Sequence, residues 1–104
     1  MGDTTLLTAA ELDAALDRLP GWTLAQGRLR WERRFRDFVE AFGFMSQVAL
    51  VAESMNHHPD WRNSWATVSV ELTTHDAGGV TMRDLELARR ISELAGPEPA
   101  PRAV

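Results

Sequence analysis

The 104-residue chain contains no cysteine, so disulfide frameworks, thiolate metal sites and thiol nucleophiles are excluded. It has no basic excess either. The formal net charge is -4, which argues against a dedicated nucleic-acid binder, a class that usually shows a basic face. Arg30, Arg33, Arg34 and Arg36 do cluster, but Glu32 and Asp37 interrupt them. No apolar run is long enough to span a bilayer, and the first residues lack the basic-then-apolar order of a signal peptide. The expected location is therefore the cytoplasm, with no membrane partner. Gly78-Gly79 is too short for a phosphate-binding loop, and there are no internal repeats. The length suits a single core.

Histidine is scarce, at three residues, and the chain is organised around them. His57 and His58 stand back to back before Pro59, in Glu53-Ser54-Met55-Asn56-His57-His58-Pro59-Asp60-Trp61. His75 follows the next strand-like run, in Thr73-Thr74-His75-Asp76. Histidine is the side chain whose ordinary pKa, roughly 6.5, lets it exchange a proton near neutrality. Three of them in two turn-like segments bracketing one strand read as a proton-transfer site.

The elements around these segments follow from periodicity. Residues 1–7 form a loose lead-in, 8–96 one domain, and the Pro- and Ala-rich 97–104 a disordered tail. Thr8 and Glu11 make a capping box for a helix carrying Leu12, Ala15, Leu16 and Leu19, which Pro20-Gly21 stops. Trp22 to Ala25 is a short strand, and Gln26-Gly27 a turn. Leu29, Trp31 and Phe35 then alternate with charged residues, with Arg33 out of pattern, as in a half-buried strand. Asp37 and Glu40 start a second helix running to about Met55. Its two apolar stripes are Phe38, Phe42, Met45, Ala49, Ala52 and Phe44, Val48, Val51, Met55. Together they are wider than the ~100° that one core needs. Either the sheet and the first helix cover that face between them, or part of it packs on another copy of the chain.

From Trp65 to Thr73 the period is two, with Ala66, Val68, Val70 and Leu72 inward. Thr81 and Asp84 cap a third helix with Leu85, Leu87, Ala88, Ile91 and Leu94, ended by Gly96-Pro97. The order α-β-β-α-β-α, with room for a short extra strand, gives an α+β domain: an antiparallel sheet with helices on one face. So narrow a sheet leaves an edge that pairing between subunits would cover.

Adjacent side chains in an extended segment point to opposite sides, so His57 and His58 should do different jobs. The plain alternative is that both are loop histidines in solvent or in local hydrogen bonds. A metal site built from His57, His58 and His75 is a second alternative, but the usual ligand spacings are missing. The acid–base reading gains from Glu53, one helical turn before His57, which can accept a hydrogen bond from a loop histidine. Trp22, Trp61 and Trp65 offer flat walls for a planar ligand, or serve as ordinary core. Asp84 is most simply a helix cap.

Ala41-Phe42-Gly43-Phe44-Met45, Val48-Ala49-Leu50, Ala52-Glu53, His57-His58-Pro59, Trp61, Trp65, Thr74-His75-Asp76, Gly79, Thr81, Asp84 and Leu87-Ala88 together closely resemble the pterin-4a-carbinolamine dehydratases. The likeness runs from about Trp22 to Leu94. It implies dehydration of 4a-hydroxytetrahydropterin, the spent cofactor of aromatic amino acid hydroxylases, to quinonoid dihydropterin, with no metal or organic cofactor. It implies that His57, His58 and His75 are catalytic and that Glu53 orients them. It implies that Thr73, Thr74 and Asp76 bind the pterin edge, with Asn56, Pro59, Trp61 and Trp22 around the pocket. It implies a four-stranded antiparallel sheet with three helices, assembled as a homodimer or homotetramer through helix 37–55 and the sheet edges. An aromatic amino acid hydroxylase is the implied functional partner. Two positions depart from the family's habit: Asn56, where animal members commonly carry Asp, and Trp65, often Tyr. The alternative from the same resemblance is a pterin- or protein-binding dimerisation module, of the kind that assists a transcription factor, without catalysis.

Overall fold

The computed structural model describes residues 4–97. Most of the expected tail, 98–104, and the first three residues of the expected lead-in lie outside that range. The elements in order are α1 (Ala9–Leu16), β1 (Thr23–Ala25), β2 (Arg28–Arg34), α2 (Phe38–Met55), β3 (Asp60–Ser64), β4 (Thr67–Leu72) and α3 (Met82–Ala95), with a single 3-10 turn at His75–Ala77. The fold is α+β, and the sheet is four-stranded in the order β1-β2-β4-β3, antiparallel throughout.

The short extra strand for which the element order left room is β3. Asp60-Trp61-Arg62-Asn63-Ser64 carries no apolar alternation because it is an edge strand, exposed or half-buried at every residue. The strand expected from Trp65 begins instead at Thr67. Trp65 sits in the β3–β4 turn with φ 50°, a left-handed conformation that a bulky residue rarely adopts.

Register explains the two faces of the sheet. Leu29 lies opposite Leu72, Trp31 opposite Val70, and Arg33 opposite Val68, and all six are buried. This face receives the helices: Ala41, Phe44, Val48 and Ala52 of α2, and Leu87, Ala88 and Ile91 of α3, complete the core. Arg33 therefore keeps the period of two rather than breaking it. Its guanidinium lies over the Trp31 ring and donates to the carbonyls of Ala95 and Gly96, closing the C-terminus of α3. The other face carries Arg28, Arg30 and Glu32, with Glu71 opposite both Arg30 and Asp60.

The helix starts follow their caps. Thr8 and Glu11 form a reciprocal capping box for α1, as do Thr81 and Asp84 for α3. Asp37 accepts from the Glu40 amide at the start of α2. The lead-in is tied at its end: the Leu7 amide donates to Val80 O at 3.1 Å, and Leu6 bridges to Thr81. The two stripes of α2 part company. Phe44 and Val48 of one stripe are buried, as is Ala52 at the end of the other, whose Phe38, Phe42 and Ala49 are exposed beside Val39 and Leu50.

Candidate functional site

The site begins where α2 ends. Asn56 adopts φ 50°, ψ 42°, a left-handed cap that an asparagine tolerates better than most residues. The Asn56 amide reaches Glu53 O and the His57 amide reaches Ala52 O, both at 3.1 Å. This reversal turns His57 back into the protein and leaves His58 facing out. The His57 side chain is 8% exposed and that of His58 55%. The two rings thus point to opposite sides, as expected of neighbours in extended chain.

His57 meets α3. Its Nε2 lies 2.6 Å from Oδ1 of Asp84, whose side chain is fully buried. The other carboxylate oxygen, Oδ2, accepts the Thr81 amide and the Thr74 hydroxyl, each at 2.8 Å. Asp84 is thus the capping residue expected from sequence and, in addition, the partner of a buried histidine. Oδ2 thus sits at the N-terminus of α3 with one N–H and one O–H donor aimed at it. The ring's other nitrogen, Nδ1, has no hydrogen-bond partner among the described residues and is not a buried atom. A neutral His57 that donates from Nε2 to Asp84 therefore presents a lone pair at Nδ1 to the surface.

The other two histidines have looser partners. His58 Nε2 donates to Glu53 Oε1 at 2.8 Å, so the carboxylate one turn back serves His58, not His57. His75 Nε2 is 3.6 Å from Asp60 Oδ2, and the same oxygen accepts from Arg28 Nη1 at 3.2 Å. The short His75–Ala77 turn is closed by Gly78 at φ 76° and by the Thr74 amide donating to Gly79 O at 2.9 Å. Thr74 precedes His75 and bonds the partner of His57, so one network connects both histidine segments. Arg83 adds a strap: its Nη2 donates to Asn56 O at 2.6 Å, joining the start of α3 to the end of α2.

The remaining expected site residues divide. Pro59 and Trp61 are half-buried beside the His58–Asp60 segment, and Thr73 is half-buried. Asp76 is exposed on the His75 turn. The Thr74 side chain faces inward, with its hydroxyl engaged by Asp84 and Thr81. Trp22 belongs to the core: its ring stacks on Trp31 at 5.9 Å, and Nε1 donates to Ser92 at 2.8 Å. A cleft of about 420 Å³ near it, lined by Pro20, Gly21, Trp31, Arg33 and Ser92 among others, contains none of the histidines. Among the described residues, no group of three or more His, Cys, Asp or Glu is arranged to hold a metal ion. Sequence reasoning missed the second role of Asp84, and it missed Asp60 and Arg83. The only signal was the place of Asp84 in the resemblance.

Residues 5–94 match the sequence profile described as pterin 4 alpha carbinolamine dehydratase. The chain belongs to the pterin 4 alpha carbinolamine dehydratase family. A protein of Prochlorococcus marinus strain MIT 9303, provisionally named a pterin-4-alpha-carbinolamine dehydratase, is 62% identical over 90 residues, covering 86% of this chain and 94% of that protein. One of Rhodopseudomonas palustris strain BisB18, with the same provisional name, is 57% identical over 91 residues, covering 86% and 90%. A crystal structure from Brucella melitensis, described as a transcriptional coactivator/pterin dehydratase, superposes with TM-score 0.86 at 41% identity. The match covers 88% of this chain and all of that one. Within this dehydratase family chain, the two departures have local structural settings. Asn56 is the left-handed cap of α2, and Trp65 is the left-handed residue of the β3–β4 turn.

Proposed function

We propose that this protein dehydrates 4a-hydroxytetrahydropterins to quinonoid dihydropterins. The observation that carries the reading is the buried His57–Asp84 pair at 2.6 Å; with the proton on Nε2, Nδ1 of His57 is a free acceptor. In the reaction the C4a–O bond breaks, the hydroxyl leaves with an added proton as water, and the N5 proton goes to a base. His57, with Nε2 tied to a carboxylate, takes the N5 proton at Nδ1. His58 or His75, whose rings are exposed, delivers a proton to the departing hydroxyl. Glu53 steadies His58, and Asp60 lies beside His75. Half-buried Trp61 offers a flat wall to the pterin, and the Thr73 to Asp76 segment offers its backbone and Asp76 to the pterin edge. No metal or organic cofactor enters this scheme.

The names of the family's members support the substrate class, and the reading places the protein in the cytoplasm, serving recycling of a hydroxylase's spent pterin. Among the described residues, no helix is long and apolar enough to cross a membrane. A second reading, assembly through α2, has its own support. Phe38, Val39, Phe42 and Leu50 are exposed on one helix, and no charge occurs from Ala41 to Ala52. An exposed apolar patch of this kind marks an interface. It fits a homo-oligomer, and it fits the coactivator role given for the Brucella protein.

The test is a coupled hydroxylase assay following decay of the 4a-hydroxytetrahydropterin. Wild type is compared with His57→Ala, His58→Ala and His75→Ala, with chelator present. Acceleration that survives chelator and falls at least about tenfold in the His57 variant supports the reading. No acceleration by folded wild type would leave the assembly role standing alone.

A further inference from the structure

Thr74, Thr81, Asp84 and His57 are 3%, 0%, 0% and 7% exposed, so their polar hydrogens can be assigned by counting. A threonine hydroxyl has one hydrogen to give. Thr74 gives its hydrogen to Asp84 Oδ2 at 2.8 Å. At the 2.8 Å contact between the two hydroxyls, Thr81 must then be the donor and Thr74 the acceptor. Thr81 Oγ1 also accepts the Arg83 amide at 3.2 Å, the bond that makes it the cap of α3. The hydrogens therefore run one way, from the first turn of α3 through Thr81 and Thr74 into Asp84. With Asp84 as the carboxylate, Oδ1 offers the imidazole only lone pairs, and the proton in the 2.6 Å contact then sits on His57 Nε2.

We propose that Thr74 is a positioning residue, whose hydroxyl fixes the Asp84 carboxylate so that His57 keeps its proton on Nε2 and holds Nδ1 bare at the surface. This deepens, and rests on, the reading of His57 as the base. Without that hydroxyl, Oδ2 keeps only the Thr81 amide, the Thr81 hydroxyl loses its acceptor, and the carboxylate is freer to turn away from His57. The other groups near His57 do not replace the bond. Arg83 binds the Asn56 carbonyl, and Glu53 binds His58.

The test is a long-range proton–nitrogen spectrum of the imidazoles in 15N-labelled full-length protein, with His57→Gln used for assignment. Wild type is expected to show His57 protonated on Nε2, with a hydrogen-bonded proton that exchanges slowly. Thr74→Val keeps the shape and removes the hydroxyl; Thr74→Ser restores it. Thr74→Val is expected to speed that exchange and to lower kcat by about tenfold with KM changed less than about twofold, a part of the roughly 10²–10⁴ that a positioned acid–base group contributes. Thr74→Ser is expected to return both. A neutral wild-type ring protonated on Nδ1 would overturn the proposal without any variant having to fold. So would a Thr74→Val protein with the wild-type spectrum and kcat. If the spectra behave as expected and wild type dehydrates nothing, the hydroxyl chain stands and the dehydratase reading falls.

Discussion

Asp84 lies 27 residues beyond His57, yet its Oδ1 is 2.6 Å from the ring's Nε2, with both residues buried. The same carboxylate completes the capping box of α3. Helix start and histidine orientation thus share one side chain, which ties the His57 ring, on the segment after α2, to α3.

Substituting Asp84 should separate shape from charge. Asp84→Ala leaves the His57 N–H without an acceptor, a loss of about 1–3 kcal/mol, and removes half of the capping box, worth about 1 kcal/mol more. Asp84→Asn fills the same volume and should unfold at a higher urea concentration than Asp84→Ala. It should still lose activity within the roughly 10²–10⁴ range of a positioned acid–base group, because an amide no longer offers the carboxylate's charge. Urea unfolding together with kcat tests both halves. An Asp84→Asn protein with full activity would show that the pair serves only the helix.

Glu53 should matter far less to stability. Its pair with His58 is open to water, the two side chains being 81% and 55% exposed. Exposed ion pairs contribute about 0–1 kcal/mol, so Glu53→Gln should change unfolding free energy by less than about 1 kcal/mol. Added salt should shrink whatever difference there is, because exposed charges are screened. A loss of activity as large as that of Asp84→Asn would move the main catalytic pair from His57 to His58.

How far the sequence shows this site depends on how far apart the partners lie. The boxes Thr8–Glu11 and Thr81–Asp84 are legible because each closes within one helical turn. The opposite aim of His57 and His58 is legible because they are neighbours in extended chain. The His57–Asp84 and His75–Asp60 contacts are made by the fold, and no local spacing carries them. The β3 strand hides because an edge strand with no deeply buried residue needs no apolar alternation. Arg33 looks out of pattern because a buried arginine is rare, and only the carbonyls at the end of α3 make sense of it. In α2 the periodicity shows two apolar stripes and cannot tell which one meets the sheet.

The outward stripe of α2 gives a separate test. Leu50 is 74% exposed and Val39 78%, so neither holds the core of this chain. Val39→Glu with Leu50→Glu should leave monomer stability within about 0.5 kcal/mol per site, as surface changes usually do. If α2 is the contact between copies, sedimentation should show wild type as an oligomer and the double variant as smaller species. Wild type sedimenting as a monomer would remove self-assembly as the occupant of this face.

Trp65 offers a test of backbone strain that leaves the site alone. It holds φ 50° in the β3–β4 turn, with the Arg34 guanidinium 5.1 Å from its ring centre and its carbonyl accepting from Asn63. Left-handed backbone costs a residue with a Cβ about 1–2 kcal/mol, which glycine avoids. Trp65→Ala and Trp65→Gly both remove the ring and its cation–π contact, so that loss cancels between them. What remains is the backbone: the Gly variant should be the more stable by about 1 kcal/mol, a reversal of the usual order in which Gly is the weaker residue. Urea unfolding of the two variants measures the difference. If Ala equals or exceeds Gly, the turn is not strained, and the aromatic at this position is held by its contacts alone.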